Sequence, residues 1–400
     1  MSGIIGGLKI ITPQFLLILS ALALLTLGSA LYLARKHHRA SAVVVGLLAF
    51  VLLPASAADA FNAHYQYLPR LADVVNTPTW PTARASVVLH FAPNTLTPDA
   101  LTPNDLTPYA TPPRRSAPSA RTGQATTVHP AAPHTPPYAQ GVVVQLPLPG
   151  RVSGFGTHLA YVYLPPQYFT EPTRRFPVLY LIHGSPGGPI DWFRSARAAE
   201  AGEQAAQRGT PTIIVAPRAS RSWTDDSECV NQPREQVETY LTVDVPAAVD
   251  AVLRTTASRA GRAIGGNSAG GFCALNLGLR HRDVFRAIVD LSGFDHPTYD
   301  GGMVALFGRR ADLAAVVAAN DPSQYVSRLP LGPRVSVWLD TGRSDAQPRH
   351  DAERMLALLT YAGQDVQLHE RRGGHEYGVW RPALGESLLW VAQLMSTATA

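Results

Sequence analysis

The pentapeptide Gly266–Gly270, which reads Gly-Asn-Ser-Ala-Gly, constrains the fold of this chain more than any other stretch. A short run at Arg262–Gly265 precedes it and the mostly apolar stretch Phe272–Leu277 follows it, which predicts a strand, a tight turn and a helix. Glycines at both ends of such a turn let the backbone bend sharply without a clash from a Cβ atom. The central Ser268 is then held with its hydroxyl exposed, before a helix N-terminus whose free N–H groups favour an anion. The pattern predicts a serine nucleophile at a strand-to-helix turn.

From Gly141 onward, short apolar runs alternate with longer helical patterns. Continuous apolar runs are typical of strands in the middle of a parallel sheet. Their alternation with helices predicts an α/β fold with a doubly wound, mostly parallel, eight-stranded sheet and ligands at the C-terminal ends of its strands. The predicted strands are Val142–Leu146, His158–Leu164, Val178–Ile182, Thr212–Val215, Arg262–Gly265, Ala287–Leu291, Val335–Leu339 and Val366–Glu370. The predicted helices are Trp192–Arg208, Gln236–Thr256, Gly271–Arg282, Arg349–Ala362 and Ala383–Leu394.

A base and an acid for Ser268 are predicted in loops that follow later strands. His375 comes just after the last predicted strand, where an imidazole can reach back over the sheet to the serine. The strand before it runs into both Asp340 and Asp345. Asp345 lies in the loop proper and is predicted to orient His375, whereas Asp340, at the end of the strand, is the alternative. The chain order serine, acid, histidine is the one that acyl-transfer chemistry uses on a sheet of this kind.

A glycine-rich loop after the strand Val178–Ile182 predicts an oxyanion-binding site. The loop reads His-Gly-Ser-Pro-Gly-Gly from His183 onward. The predicted donors are the backbone N–H groups of Ser185 and of Ala269, the residue after the serine. Pro186 has no N–H and is excluded as a donor. No Cys-x-x-Cys pattern occurs, and the sequence implies neither a metal nor an organic cofactor.

Two apolar segments precede this predicted domain. Phe15–Ala34 is uncharged and about as long as a helix that spans a bilayer, whereas Ala42–Leu53 is short for a span. The basic cluster Arg35–Arg39 lies between them, so the positive-inside rule predicts a transmembrane hairpin with a cytoplasmic turn and both ends outside. The alternative, which the short second segment favours, is an internal signal sequence at Arg35–Ala57 with a cleavage site at its end. Either interpretation exports the rest of the chain.

The segment between the hairpin and the sheet has two parts. Phe61–Val75 is amphipathic and aromatic, and it is predicted to lie at the outer membrane interface. The stretch from about Asn76 to Gly141 is dense in Pro, Thr and Ala and is predicted to be an extended, semi-rigid tether. The predicted domains are therefore a hairpin at 1–60, an interfacial segment and linker at 61–140, and a catalytic domain at 141–400.

The charge distribution limits the classes of binding partner, and the cysteine content indicates the cellular compartment. The chain has a net charge of +5, but its basic residues are scattered apart from the cluster between the apolar segments. This distribution, without a basic stripe interleaved with aromatics, argues against nucleic-acid binding.

The only cysteines, Cys229 in a loop and Cys273 in the helix after the serine, are predicted to form a disulfide in an exported domain. Two separate thiols are the alternative. Asp225, Asp226 and Glu228, in the loop that carries Cys229, are predicted to be solvated, and contact with a polar substrate is the alternative.

Residues 141–400 resemble the esterase-D and antigen-85-type branch of the α/β-hydrolases, which includes secreted mycolyltransferases and feruloyl-type esterases. The matching stretches are VYLPPQYF, PVLYLIHGSPGG, VETYLTVDVP, GGNSAGGFCALNLGLRHRDVF, LDTGRSD and GGHEYGVWRPAL. The apolar segments followed by FNAHYQYLPRLADVV are similar to those of membrane-tethered actinobacterial members, which implies retained helices. The resemblance implies an α/β-hydrolase fold with Ser268, Asp345 and His375 as its triad. The chain departs from mycolyltransferases, which have a glutamate as the acid and commonly a Trp where this chain has Tyr377, so mycolyl specificity is not implied.

These observations predict a membrane-tethered, extracytoplasmic serine esterase or acyltransferase. Its expected substrate is a small-molecule or lipid ester, for which the resemblance implies a cell-envelope lipid or an acyl sugar. Water as acceptor gives hydrolysis, and a sugar hydroxyl gives transfer. The alternative, from another class, is a catalytically silent hydrolase fold that binds envelope glycan or a matrix protein. A broken triad would favour this alternative, and the triad is whole in the sequence.

Overall fold

The computed structural model describes residues 10, 12–68, 82–83, 140–330 and 332–396. The part of Phe61–Val75 after Leu68 and nearly all of the predicted linker lie outside the described residues. Two long helices come first, α1 (Pro13–Arg35) and α2 (Arg39–Tyr65), and they pack side by side. Both are long and apolar enough to cross a membrane.

The bounds of the two long helices follow from local chemistry. Helix α1 begins after Thr12, whose hydroxyl accepts a hydrogen bond from the N–H of Phe15 at 3.2 Å. Pro13 stands at the first helical position, where no N–H is needed. Helix α2 runs on through Pro54 to Tyr65 and has 27 residues, so it is much longer than the predicted Ala42–Leu53. The predicted length of the second apolar segment, which favoured a signal sequence, is therefore wrong.

A mostly parallel sheet forms the centre of the remaining structure, and all eight predicted strands are present in it. Its strands are β1 (Thr82–Ala83), β2 (Val142–Gly150), β3 (Gly156–Leu164), β4 (Val178–Ile182), β5 (Ile213–Ala216), β8 (Arg262–Asn267), β9 (Ala287–Leu291), β10 (Ser336–Gly342) and β11 (Asp365–Arg371). The two short strands β6 (Asn231–Gln232) and β7 (Glu235–Gln236) form a separate antiparallel pair. The order across the sheet is β1-β2-β3-β5-β4-β8-β9-β10-β11. Strand β3 is antiparallel to β2 and β5, and every other neighbouring pair is parallel. This topology is that of an α/β-hydrolase.

Helices cover both faces of the sheet. The helices that follow the hairpin are α3 (Gln167–Thr170), α4 (Asp191–Arg194), α5 (Ala198–Gln207), α6 (Val237–Thr239), α7 (Val245–Val252), α8 (Ala269–Arg280), α9 (Met303–Phe307), α10 (Leu313–Ala319), α11 (Pro322–Tyr325), α12 (Ala346–Tyr361) and α13 (Tyr377–Ser396). Helices α5 and α13 pack on one face, and α7, α8 and α12 on the other. Strands β4, β5 and β9 are buried at every position, as their continuous apolar sequences predict.

The helices differ from the predicted ones where the chain bends. The predicted helix Trp192–Arg208 is divided into α4 and α5 near Arg197, which has a positive φ of 58°. The predicted helix Gln236–Thr256 contains a π-helical turn at Tyr240–Asp244 and ends at Val252. Helices α9, α10 and α11 were not predicted, because four- to seven-residue helices are too short to show a periodic pattern.

Candidate active site

Ser268 stands on a strained turn between β8 and α8. Its φ is 56° and its ψ is −126°, a combination that a residue with a side chain rarely adopts. The turn also needs its two glycines, because a Cβ on Gly266 would lie 1.9 Å from the carbonyl oxygen of Gly270. A Cβ on Gly270 would lie 2.1 Å from the carbonyl oxygen of Ile182 on β4. Close packing of the turn against β4 therefore accounts for the Gly-x-Ser-x-Gly pattern.

The three residues predicted to act together meet in one hydrogen-bonded chain. The Nε2 atom of His375 lies 2.7 Å from the Oγ of Ser268, and its Nδ1 lies 2.8 Å from Oδ2 of Asp345. Asp345 immediately precedes α12, and His375 lies between β11 and α13. Since β8, β10 and β11 are parallel, their C-terminal ends bring the three loops together. Asp345 is buried and His375 is partly exposed, so the imidazole links a shielded carboxylate to an open cleft.

The alternative acid, Asp340, belongs to a different interaction. Its carboxylate accepts hydrogen bonds from Arg371, at 2.8 Å for the closest pair of atoms, and from the indole of Trp338 at 3.2 Å. Asp340 lies in β10 beside β11, where the neighbouring strand supplies Arg371. The structure therefore brings Asp345, and not Asp340, to His375.

The glycine-rich loop lies beside Ser268 and is anchored from behind by His183. His183 is buried, and burial lowers its pKa to about 4, so the imidazole is neutral at pH 7. Its Nε2 accepts a hydrogen bond from the N–H of Ala219 at 3.1 Å, which leaves Nδ1–H to donate to the carbonyl of Gly184 at 2.9 Å. Ser185 and Ala269 both line the cleft that contains Ser268. Within the described part of the chain, neither backbone N–H has a protein acceptor.

The cleft at Ser268 is acidic along one rim. It has a volume of about 510 Å³, and Asp225, Asp226 and Asp300 line it together with the hydroxyl groups of Thr224 and Thr298. Among the described residues that line it, none is Lys or Arg. The cleft therefore offers many hydrogen-bond acceptors and a negative potential near the serine.

Glu228 is buried behind this rim, which corrects the prediction that all acidic residues near Cys229 are solvated. Its Oε1 accepts a hydrogen bond from the N–H of Thr298 at 2.7 Å. Burial, followed by the repulsion of Asp226, raises the pKa of Glu228 to about 8. The side chain is therefore mostly protonated at neutral pH and supports the acidic rim without adding a full charge to it.

A disulfide joins Cys229 in the loop to Cys273 on α8. The sulfur atoms are 2.05 Å apart, and the two residues are separated by 44 positions in the sequence. The bond joins the loop that carries the acidic rim to the helix that begins at the Ser268 turn.

Sequence reasoning missed the contribution of the end of the long hairpin. The hydroxyl of Tyr67 donates to the carbonyl of Pro186, 2.9 Å away, in the glycine-rich loop. Its ring packs on that of Tyr377 with the centroids 4.8 Å apart, and Tyr377 hydrogen bonds with the side chain of Asn267 next to the nucleophile. The guanidinium of Arg381 on α13 donates to the carbonyl of Gln66. The aromatic run at the end of α2 was the available signal, but a contact across 119 positions leaves no local pattern.

One cluster of the described residues brings three potential metal ligands together: Asp295, His296 and Asp351. The guanidinium of Arg354 donates to both aspartates, with Nη2 at 2.7 Å from Asp295 Oδ1 and 2.8 Å from Asp351 Oδ1. The guanidinium of Arg354 thus supplies the positive charge beside both carboxylates, and we interpret the cluster as an ion-pair network.

Comparisons with known proteins converge on esterases. The family model described as "Putative esterase" matches residues 157–391. An uncharacterized protein of Corynebacterium glutamicum is 31% identical over 266 residues, which cover 63% of this chain and 62% of that protein. An acetyl esterase of Caldicellulosiruptor saccharolyticus is 24% identical over 54% of this chain and 83% of its own length. A solved ferulic acid esterase superposes with a TM-score of 0.55 at 24% identity, over 64% of this chain and 99% of its own. The chain thus spans somewhat less than two thirds of the Corynebacterium relative.

Proposed function

Because the chain belongs to this esterase family of α/β-hydrolases, we propose that it is a serine esterase or acyltransferase in which Ser268, His375 and Asp345 form the catalytic triad. The observation that carries the proposal is the unbroken hydrogen-bonded chain from Asp345 to Ser268, on a turn that holds the serine at a positive φ. An imidazole within hydrogen-bond distance of both a hydroxyl and a carboxylate is the arrangement that activates a serine.

The proposed reaction proceeds through an acyl-enzyme. Nε2 of His375 takes the proton of Ser268 as Oγ attacks the ester carbonyl, and Asp345 stabilises the imidazolium through Nδ1–H. The N–H groups of Ser185 and Ala269 bind the oxyanion of the tetrahedral intermediate. His375 then gives the proton to the departing alkoxide, and the acyl group remains on Oγ. Water or a second alcohol, deprotonated by Nε2 of His375, then attacks the acyl carbonyl. The bond from the acyl group to Oγ breaks, and His375 returns the proton to Oγ, which regenerates Ser268.

The acidic rim favours an ester with a neutral, hydroxyl-rich alcohol portion. The carboxylates of Asp225, Asp226 and Asp300 accept hydrogen bonds from hydroxyl groups and repel anions. A hydroxyl-rich compound in this cleft is also a suitable acceptor for acyl transfer, so we propose a sugar or polyol ester as the substrate class. We also propose that this ester comes from the cell envelope.

We propose that the catalytic domain lies outside the cytoplasm and that both long helices are retained in the membrane. Arg35 ends α1, Lys36 lies in the turn and Arg39 begins α2, and the positive-inside rule assigns this basic cluster to the cytoplasmic side. The disulfide fits an oxidising compartment. The contacts of Gln66 and Tyr67 with the domain support retention of α2, since the signal-sequence alternative would remove the helix that positions them. The unit that we propose to be catalytic is therefore 141–400 together with the end of the hairpin.

Activity-based labelling tests the proposal on the full chain. Purified protein in detergent should react with a fluorophosphonate probe and release p-nitrophenol from p-nitrophenyl acetate, and Ser268→Ala should abolish both. Ser185→Ala is the matched control, because its donor is a backbone N–H that the substitution keeps. Trehalose added to the assay should raise release if a sugar accepts the acyl group and leave it unchanged if water does. Labelling that survives Ser268→Ala would contradict the assignment of Ser268 as the nucleophile. A folded protein that neither labels nor turns over would support the binding-protein alternative instead.

A membrane-impermeant fluorophosphonate applied to intact cells tests the location. Labelling of the full chain before lysis is expected for an extracytoplasmic domain. Labelling that requires lysis would contradict it.

A further inference from the structure

An apolar cavity lies between the long hairpin and the hydrolase domain. Its volume is about 590 Å³. Phe15 and Leu19 of α1 and Ala55 and Ala58 of α2 line one side, and Trp223 from the domain lines another. Both helices otherwise present apolar side chains outward over most of their length, so the cavity continues the lipid-facing surface of the hairpin into the protein.

The cavity changes from apolar to polar along α2. Ala55 precedes Asp59 by one helical turn, so the carboxylate lies about 6 Å further along the helix axis, in the direction of the domain. Asp59 is 8% exposed, and Ser195, which lines the cavity from the domain together with Asp191 and Arg194, is 1% exposed. The Oδ2 of Asp59 and the Oγ of Ser195 are both buried and have no hydrogen-bond partner among the described residues.

Two unpartnered polar atoms on residues that line one apolar cavity indicate a ligand. A buried polar group without a partner costs about 1–3 kcal/mol, so native structures rarely keep one without a reason. The carboxylate of Asp59 accepts hydrogen bonds, and the Ser195 hydroxyl can accept or donate, so hydroxyl groups on the ligand would satisfy both atoms.

We propose that this cavity binds one bilayer lipid, with a single hydrocarbon chain along Phe15, Leu19, Ala55 and Ala58 and a headgroup with free hydroxyl groups at Asp59 and Ser195. The polarity order fits such a lipid, because the apolar end lies deeper in the hairpin and the polar end lies next to the domain. Binding of this lipid does not depend on the proposed esterase chemistry.

The lipid site is one layer of residues away from the cleft at Ser268. Tyr67 and Trp223 line the lipid cavity, whereas Pro186 and Thr224 line the cleft. The Tyr67 hydroxyl contacts the carbonyl of Pro186, and the carbonyl of Trp223 accepts the N–H of Gly187 at 2.8 Å. A lipid held here therefore stands beside the wall of the cleft.

Photo-crosslinking tests the proposal without requiring turnover. Full-length Ser268→Ala protein in phosphatidylcholine nanodiscs would be irradiated with a monoacylglycerol that carries a diazirine on its chain, so that the serine cannot consume the probe. We expect labelled peptides from α1, α2 and the Trp223 loop. Ala58→Trp fills the cavity and should lower this labelling at least tenfold. Ala57→Trp is the matched control, because Ala57 is exposed and does not line the cavity, and it should label like the parent.

A second pair of measurements tests the headgroup. Asp59→Ala should weaken labelling by the monoacylglycerol but not by a diazirine phosphatidylcholine, whose head has no free hydroxyl. Leu19→Trp blocks the cavity from α1 and replaces Ala58→Trp if that variant does not fold, as judged by its unfolding temperature. Equal labelling of the parent and the blocked variants, or labels scattered over the outward faces of both helices, would overturn the proposal.

Discussion

The phenol of Tyr67 donates a hydrogen bond to the carbonyl of Pro186, 2.9 Å away, and thereby joins the end of the long hairpin to the glycine-rich loop beside Ser268. The same tyrosine packs on Tyr377, which contacts Asn267. Two sides of the candidate active site thus contact one residue that lies 201 positions before Ser268 in the chain, since 268 − 67 = 201. Tyr67 is a positioning residue, since it acts through Pro186.

Replacement of Tyr67 by Phe should lower kcat for p-nitrophenyl acetate about two- to tenfold, because one hydrogen bond to the loop is worth about 0.5–1.5 kcal/mol. KM should change little, since the phenol lies behind the loop and does not line the cleft. The measurement is steady-state kinetics of the full chain in detergent. Tyr65→Phe is the control, because its ring lies in the same aromatic cluster. Equal losses in both variants would mean that the cluster, and not the hydrogen bond, is responsible.

Replacing Asp345 or Asp340 by asparagine should have different effects, one on kcat and the other on the unfolding temperature. Asp345→Asn should reduce kcat roughly 10²–10⁴-fold with little change in unfolding temperature, since the amide cannot hold His375 in the required tautomer. Asp340→Asn should leave kcat within a few-fold and lower the unfolding temperature, because it weakens the buried pair with Arg371. Kinetics and thermal unfolding of both variants check this. The reverse pattern would reassign the acid to Asp340.

Loss of the Cys229–Cys273 bond should destabilise the domain by about 4 kcal/mol on the chain-entropy model, given a separation of 44 residues. Denaturant unfolding of the double variant Cys229→Ala, Cys273→Ala measures this loss. Reductant should bring the wild type towards the double variant and leave the variant itself unaffected. Identical midpoints for wild type, reduced wild type and double variant would contradict the expectation.

Glu228 should make the protein less stable as pH rises. Its pKa is about 8 in the folded state and near 4.5 when it is unfolded, so above pH 4.5 the unfolded chain loses a proton that the folded chain keeps. The stabilisation is complete below pH 4.5 and is lost progressively up to about pH 8. Glu228→Gln keeps an acceptor for the Thr298 N–H and should unfold at a higher temperature than the wild type at pH 8.5, with a smaller difference at pH 5.

The surface variant Glu353→Gln serves as the control for this titration. Glu353 is exposed and pairs only with Arg349 among the described residues, so its removal should leave the pH profile unchanged. A wild-type profile that matches that of Glu228→Gln would show that the carboxyl is ionised in the fold.

Local pattern was sufficient to predict the sheet and the order of the site residues. Apolar runs such as Val178–Ile182 are buried on both faces and have few alternatives to a central strand. Gly266 and Gly270 could be read as a turn because the backbone packs too closely there for any side chain. Asp345 was favoured over Asp340 from its place beyond the strand. In the structure, Asp340 lies within β10 on the same face of the sheet as Arg371 of β11, and its carboxylate pairs with that guanidinium.

Features that depend on long-range packing were not readable from the sequence. The burial of Glu228 arises from the segment around Thr298, 70 positions away, so a loop rich in acids seemed solvated. The length of α2 was underestimated because hydropathy falls after Leu53 although the helix continues to Tyr65. Arg197 at φ 58° breaks a helix whose composition is otherwise favourable. In each case, tertiary contacts override a local preference.

Gln66 and Tyr67 contact the domain directly, so the Pro-rich stretch does not determine how far Ser268 lies from the helices. The separation between the helices and Ser268 is set by these contacts, whatever the length of chain at 69–139. On the proposed orientation, the nucleophile stays at a fixed height above the bilayer and moves only with the hairpin. Its search for substrate is then a two-dimensional diffusion in the plane of the membrane, and it encounters esters according to their surface density rather than their concentration in the surrounding solution.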